Sequence, residues 1–158
     1  MLLENLAIAS VMVVTTVTLH FLGLASLIAI LRAEFAQRWR KGTAYERGAT
    51  ILLTVFGLVV LHSFEIWLYA GLFLALGEFQ DLETALYFST ASFTTIGYGD
   101  VVIGHTHRLI AAIEGANGFL LIGWSTAFLV SVTARMGLLE AQLEHGGQAS
   151  PDQSSDSP

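Results

Sequence analysis

The chain has 158 residues and no cysteine, which rules out disulfides and thiolate metal centres and leaves the redox compartment open. Charge is also scarce. Only 13% of residues are charged against 54% hydrophobic, and a mean hydropathy of +0.65 is too apolar for an ordinary soluble domain of this length. The first apolar run, residues 5–31, contains no Asp, Glu, Lys or Arg. A helix that moves in the membrane field needs several such charges, so voltage sensing of that type is not expected. No pair of histidines stands at i and i+4, which removes the usual helical zinc motif. No internal repeat occurs.

What the chain does contain is three long apolar stretches, residues 5–31, 48–77 and 109–134, with Glu65 alone in the second and Glu114 alone in the third. Each exceeds the ~20 residues a helix needs to cross the hydrocarbon core. The start, Met-Leu-Leu-Glu, lacks a basic n-region, and the uncharged run behind it is far longer than the ~7–15 residues of a signal-peptide core. It therefore reads as a retained helix.

The net charge of -6 conceals a segregation of signs. Five of the seven basic residues, Arg32, Arg38, Arg40, Lys41 and Arg47, lie between the first and second spans. The positive-inside rule makes that connection cytoplasmic, with Trp39 and Tyr45 at its interface. The N-terminus is then expected outside and the C-terminal tail inside. The segment between spans two and three faces outward.

That outward segment carries the most specific pattern in the chain, Thr94-Thr95-Ile96-Gly97-Tyr98-Gly99-Asp100. A cation leaving its water shell needs replacement oxygens, and a ring of backbone carbonyls from several chains can supply them. Consecutive carbonyls point the same way only if alternate residues adopt angles that a β-carbon resists, which suits Gly97 and Gly99. Upstream, Asp81 is a fitting N-cap with Glu83 in the first turn of a helix over Leu82–Phe93.

The motif resembles the selectivity-filter signature of tetrameric potassium channels, Thr-x-Gly-Tyr-Gly followed by Asp. The resemblance covers roughly residues 49–134 and is to the bacterial two-helix pore type, here with an extra N-terminal transmembrane helix. It implies an all-α membrane protein with three transmembrane helices, a re-entrant pore helix and a filter loop. The expected organisation is an N-terminal transmembrane helix (1–33), a cytoplasmic basic loop (34–47), a pore domain (48–135) and a cytoplasmic tail (136–158). Residues 146–158 of that tail are polar and acidic, and are expected to be disordered. Non-helical backbone at membrane depth must be buried in protein, and one loop cannot bury itself, so a homotetramer in the lipid bilayer is expected.

The resemblance further implies that K⁺ is the transported ion, bound by Thr95, Ile96, Gly97, Tyr98 and Gly99, with Thr94, Asp100, Tyr87 and Ala91 supporting the filter. Ala91 stands where some bacterial members carry a glutamate, so Asp100 needs another partner, and Tyr87 is placed to reach it. Gly118 aligns with the family's bending glycine, though it also suits simple close packing. Phe119, Ile122, Thr126 and Val130 follow on a pore-facing stripe. The implied location is the plasma membrane, the bacterial inner membrane, with no catalysis, no nucleic acid and no small-molecule substrate other than K⁺.

Several residues admit both a structural and a functional reading. His62, Glu65 and Glu114 are expected to hydrogen-bond the backs of the pore helix and filter, or else to act as a protonation switch on gating. His105 and His107, at the outer mouth, would form two rings open to protons or a divalent metal, or are solvated loop residues. His20, alone in span one, is expected as a satisfied packing residue. Two competing classes remain: a membrane enzyme or metal protein built on His62, Glu65 and Glu114, and a non-conducting or regulatory subunit that keeps the channel fold.

Overall fold

A computed structural model describes residues 1–38 and 44–135, with side chains throughout except at 33–38, 44, 47 and 135. The described residues form four helices and no strand: α1 (Leu2–Arg38), α2 (Ala44–Ala75), α3 (Leu82–Phe93) and α4 (Arg108–Arg135). Both prolines lie at or beyond Pro151, so nothing in the first three-quarters of the chain breaks a helix at the backbone level. Segments Leu2–Arg32, Gly48–Ala75 and Arg108–Ala134 are long and apolar enough to cross a membrane. At 1.5 Å per residue even the 27 residues of the last span reach about 40 Å, more than the ~30 Å hydrocarbon core. The chain is a multi-pass helical membrane protein.

The connection expected as a loop over 34–47 is helical at both ends, because α1 continues to Arg38 and α2 begins at Ala44. Its Ala, Glu, Gln and Arg residues are good helix formers, so the helices outrun their apolar cores. The charge cluster at Trp39, Arg40 and Lys41, and the tail from residue 136, lie outside the described residues.

α2 ends in a Schellman turn. Gly77, at φ 74°, lets its N–H reach the Leu74 carbonyl while the Glu78 N–H reaches that of Phe73, both at 3.0 Å. The chain then reverses into α3, whose N-cap Asp81 accepts from the Thr84 N–H at 2.7 Å and from the Thr84 hydroxyl at 2.8 Å. Asp81 is thereby held below the usual carboxylate range, first by the Thr84 N–H.

Two apolar clusters hold the helices together. One gathers Ala9 of α1, Tyr69 and Phe73 of α2, Phe88 and Phe93 of α3, and Ile110 and Leu121 of α4. Within it Phe73 meets Phe88 edge-on at 5.4 Å and 82°, a geometry favoured by the ring quadrupoles. The other joins Leu24, Leu27 and Leu31 of α1 to Leu58, Leu61 and Val132. α1 thus packs on α2 and α4 together, not on α2 alone. Polar contacts repeat this along its length: Asn5 Nδ2 donates to the Thr106 carbonyl at 2.5 Å, and Asn117 Nδ2 donates to Thr16 Oγ1 at 2.7 Å and Tyr69 Oη at 3.2 Å.

Candidate ion-pathway site

The helix α3 enters and does not cross; its twelve residues span about 18 Å, short of the hydrocarbon thickness. Its last turn winds directly into the loop. The Thr94 N–H returns to the Thr90 carbonyl at 3.1 Å, the Thr95 N–H to Ser92 at 3.0 Å and the Gly97 N–H to Ala91 at 3.0 Å. Ala91 therefore supports the loop through its carbonyl. Thr94 Oγ1 adds a bond to the Thr90 carbonyl at 2.6 Å.

Beyond this point positive φ angles fall on alternate residues: Thr95 at 60°, Gly97 at 54° and Gly99 at 77°. At the two glycines the conformation is permitted by the absence of a β-carbon. At Thr95, a β-branched residue, it is an outlier costing about 1–3 kcal/mol, and sequence reasoning gave no sign of it. Residues 95–100 are all exposed on the protomer. Tyr98 is 71% and Ile96 55% exposed, so two large apolar side chains stand uncovered beside a strained, non-helical backbone.

Asp100 finds the aromatic partner its position required, since Tyr87 Oη donates to Asp100 Oδ2 at 2.7 Å. That bond holds the Asp100 carboxyl below its ordinary range. On α4, Phe119, Thr126 and Val130 are exposed on the protomer, whereas Ile122 is half-buried and packs against the first cluster. Gly118 is turned inward. A β-carbon there would run into the Phe93 carbonyl, so α4 and the end of α3 touch backbone to backbone.

The ionisable residues separate into two groups, which corrects the expectation that His62, Glu65 and Glu114 serve together behind the pore helix. Glu114 does so: fully buried, its Oε1 pairs with Ser89 Oγ of α3. Ser89 Oγ also bonds the Ile66 carbonyl at 3.1 Å, while Glu114 Oε2 has no protein partner. Glu65 instead faces α1. Its Oε1 lies 2.9 Å from His20 Nδ1 and its Oε2 2.7 Å from His62 Nδ1. The i, i+3 spacing puts His62 and Glu65 on one face of α2, and that face is covered by His20. Forty-five residues of separation hid this partner from the sequence, although His20 is the one ionisable side chain in its run.

The outer histidines also differ from one another. His107 Nδ1 lies 2.5 Å from Glu78 Oε1, and Glu78 Oε2 accepts the Gly104 N–H at 3.0 Å. The Glu78 carboxyl is pulled down chiefly by that His107 bond. His105 is exposed, 3.3 Å from Arg108 Nη1. His107 is thus engaged within the protomer, whereas His105 stands open to solvent.

Three apolar helices with a short re-entrant helix, followed by a loop of alternating backbone handedness, define a membrane protein of pore-forming architecture. Residues 59–135, just under half of the chain, match the family model described as ion channel. The match begins within α2 and runs to the end of α4, so α1 lies outside it. No curated protein and no solved structure matches the chain.

Proposed function

We propose that the protein is a potassium-selective channel that conducts K⁺ passively through a homotetrameric pore. The observation that carries the reading is the alternation of positive φ at Thr95, Gly97 and Gly99 at the end of α3. It supports carbonyls of Thr95, Ile96, Gly97 and Tyr98 turning to one side, where four copies would supply the oxygens of a dehydrated K⁺. The Thr95 hydroxyl would complete the inner end, and Thr94, Ala91, Tyr87 and Asp100 would brace the loop from behind.

Assembly follows from exposure. Backbone without helical hydrogen bonds is tolerated at membrane depth only inside protein, and Ile96 and Tyr98 have no cover within the protomer. Neighbouring copies would supply it and would set the Phe119, Thr126 and Val130 face toward a shared axis. The basic cluster of Arg32, Arg38, Arg40, Lys41 and Arg47 supports a cytoplasmic connection, with the N-terminus outside, the tail inside and the filter near the outer face of a bacterial inner membrane. No reaction is catalysed in this reading, and K⁺ is both cargo and only ligand of the filter.

Liposomes containing the purified protein under a K⁺ gradient test it. Flux of K⁺ far above Na⁺ is expected, together with a tetramer mass in native mass spectrometry. Equal flux of the two ions would reject selectivity, and a different stoichiometry would reject the fourfold pore.

A further inference from the structure

We propose that His20, His62 and Glu65 form a binding site for a divalent transition metal of the zinc class, buried between α1 and α2 and apart from the ion pathway. One nitrogen from each ring and one carboxylate oxygen lie within 4.8 Å of one another, the one such grouping among the described residues. His20 and Glu65 have no exposed surface, and the His62 side chain is 18% exposed. That edge of His62 is the way in.

Charge argues for a cation here. Residues 5–31, 48–77 and 109–134 contain no Lys or Arg, so no basic side chain of the spans can compensate a carboxylate that has been taken out of water. The imidazoles, a bound cation or a proton on the carboxyl does so, and the two ring nitrogens aimed at Glu65 favour a positive partner. Glu114 does not join the group, being engaged with Ser89 of α3.

The donor set selects the kind of cation. Two imidazoles and one carboxylate suit zinc and its neighbours, whereas Ca²⁺ and Mg²⁺ ask for oxygens alone and copper(I) for sulfur. Tetrahedral zinc with bonds of about 2.0–2.1 Å separates its ligand atoms by roughly 3.3 Å. The widest pair therefore closes by about 1.5 Å (4.8 less 3.3), within reach of side-chain rotation. Ser125 Oγ of α4 lies 3.5 Å from His20 Nε2, the ring nitrogen turned away from Glu65. The rings of Trp124, 5.3 Å from His20, and Phe93, 5.9 Å from His62, wall the group off from water. The site joins α1, the helix outside the family match, to α2, with one residue from the first and two from the second.

Metal content is read without any ion flux, so this inference stands or falls separately from potassium conduction. The full-length protein, stripped with a chelator and dialysed against Zn²⁺, is expected to retain one equivalent per protomer by elemental mass spectrometry. His62→Ala and Glu65→Gln are expected to lose it, while the His105→Ala, His107→Ala double variant keeps it. Loading the unmodified protein with Co²⁺ is expected to give the intense visible bands of low-coordinate nitrogen and oxygen ligation, a readout that needs no variant to fold. Wild-type protein that binds neither metal, or Zn²⁺ retained by folded His62→Ala, would overturn the site and leave a hydrogen-bonded packing cluster only.

Discussion

Gly118→Ala separates close packing from hinge bending in α4. The added methyl would lie 2.8 Å from both the carbonyl carbon and Cγ of Phe93, with the carbonyl oxygen nearer still. Ordinary contact begins at 3.4 Å, so at least 0.6 Å must be found (3.4 less 2.8) between α4 and the end of α3. Backbone is in the way, so a rotamer change cannot supply the space, and Phe93→Ala added to the variant would not restore it. Overpacking of this kind costs about 1–3 kcal/mol per protomer. Gly123→Ala is the matched control: it sits in the same helix with nothing within 4 Å of the new β-carbon. Both changes share the intrinsic helix gain of about 1 kcal/mol, so propensity cancels in the comparison. Denaturant unfolding in detergent should then place Gly118→Ala about 1–3 kcal/mol below Gly123→Ala. K⁺ flux should fall with it, since the displaced turn leads straight to Thr95. Equal stability of the two variants, with flux altered only in Gly118→Ala, would refute the packing argument and favour a hinge.

Tyr87→Phe removes the donor that holds the Asp100 carboxyl below its ordinary range. A depressed carboxylate gives its stabilisation above its ordinary pKa and loses it as pH falls through the lowered value; the variant should therefore lose flux at a higher external pH than wild type, and an unshifted acid limb would reject the brace. At Glu114, one hydroxyl hydrogen on Ser89 cannot serve both Ile66 and the carboxyl. Gln supplies an N–H to Ser89 Oγ, so Glu114→Gln should fold as wild type while Glu114→Ala loses about 2–4 kcal/mol; pH-dependent flux that vanishes in Glu114→Gln would instead identify a protonation switch. A double-mutant cycle on Thr16→Val and Asn117→Ala should give a coupling of about 0.6–1.7 kcal/mol, the range for hydrogen bonds between membrane helices. Zero coupling would mean that α1 and α4 are not held by that bond.

The features legible in the sequence were those encoded locally. Apolar run length located the spans, and Asp81 as N-cap with Glu83 in the first turn marked the start of α3. Gly97 and Gly99 marked two of the three left-handed positions, because only glycine adopts them without strain. Thr95 escaped notice because nothing in its identity suggests positive φ; the winding of the Ser92 and Ala91 carbonyls onto the loop imposes it. The pairing of Glu65 with His62 at i and i+3 was legible, but its second partner, His20, was not, because pairing across 45 residues depends on which face α1 presents, and three uniformly apolar helices have weak facial patterns. The polar side chains Asn5, Thr16 and His20 carried that information, as each is buried against the pore helices.

Those three residues fasten α1 to the segment that carries the family match. Asn5 bonds the segment before α4 at Thr106, Thr16 accepts from Asn117 in the N-terminal half of α4, and His20 approaches Ser125 about two turns further along. Asn117 adjoins Gly118, the residue that meets the Phe93 carbonyl, so the same stretch of α4 touches the end of α3 and is bonded to α1 behind it. A bend or rotation of α4 in this stretch must strain the Thr16 bond or carry α1 along. In a membrane, where no water replaces a lost partner, the freed amide would remain unsatisfied. The helix that the family match leaves out is consequently coupled to any movement of this stretch of α4.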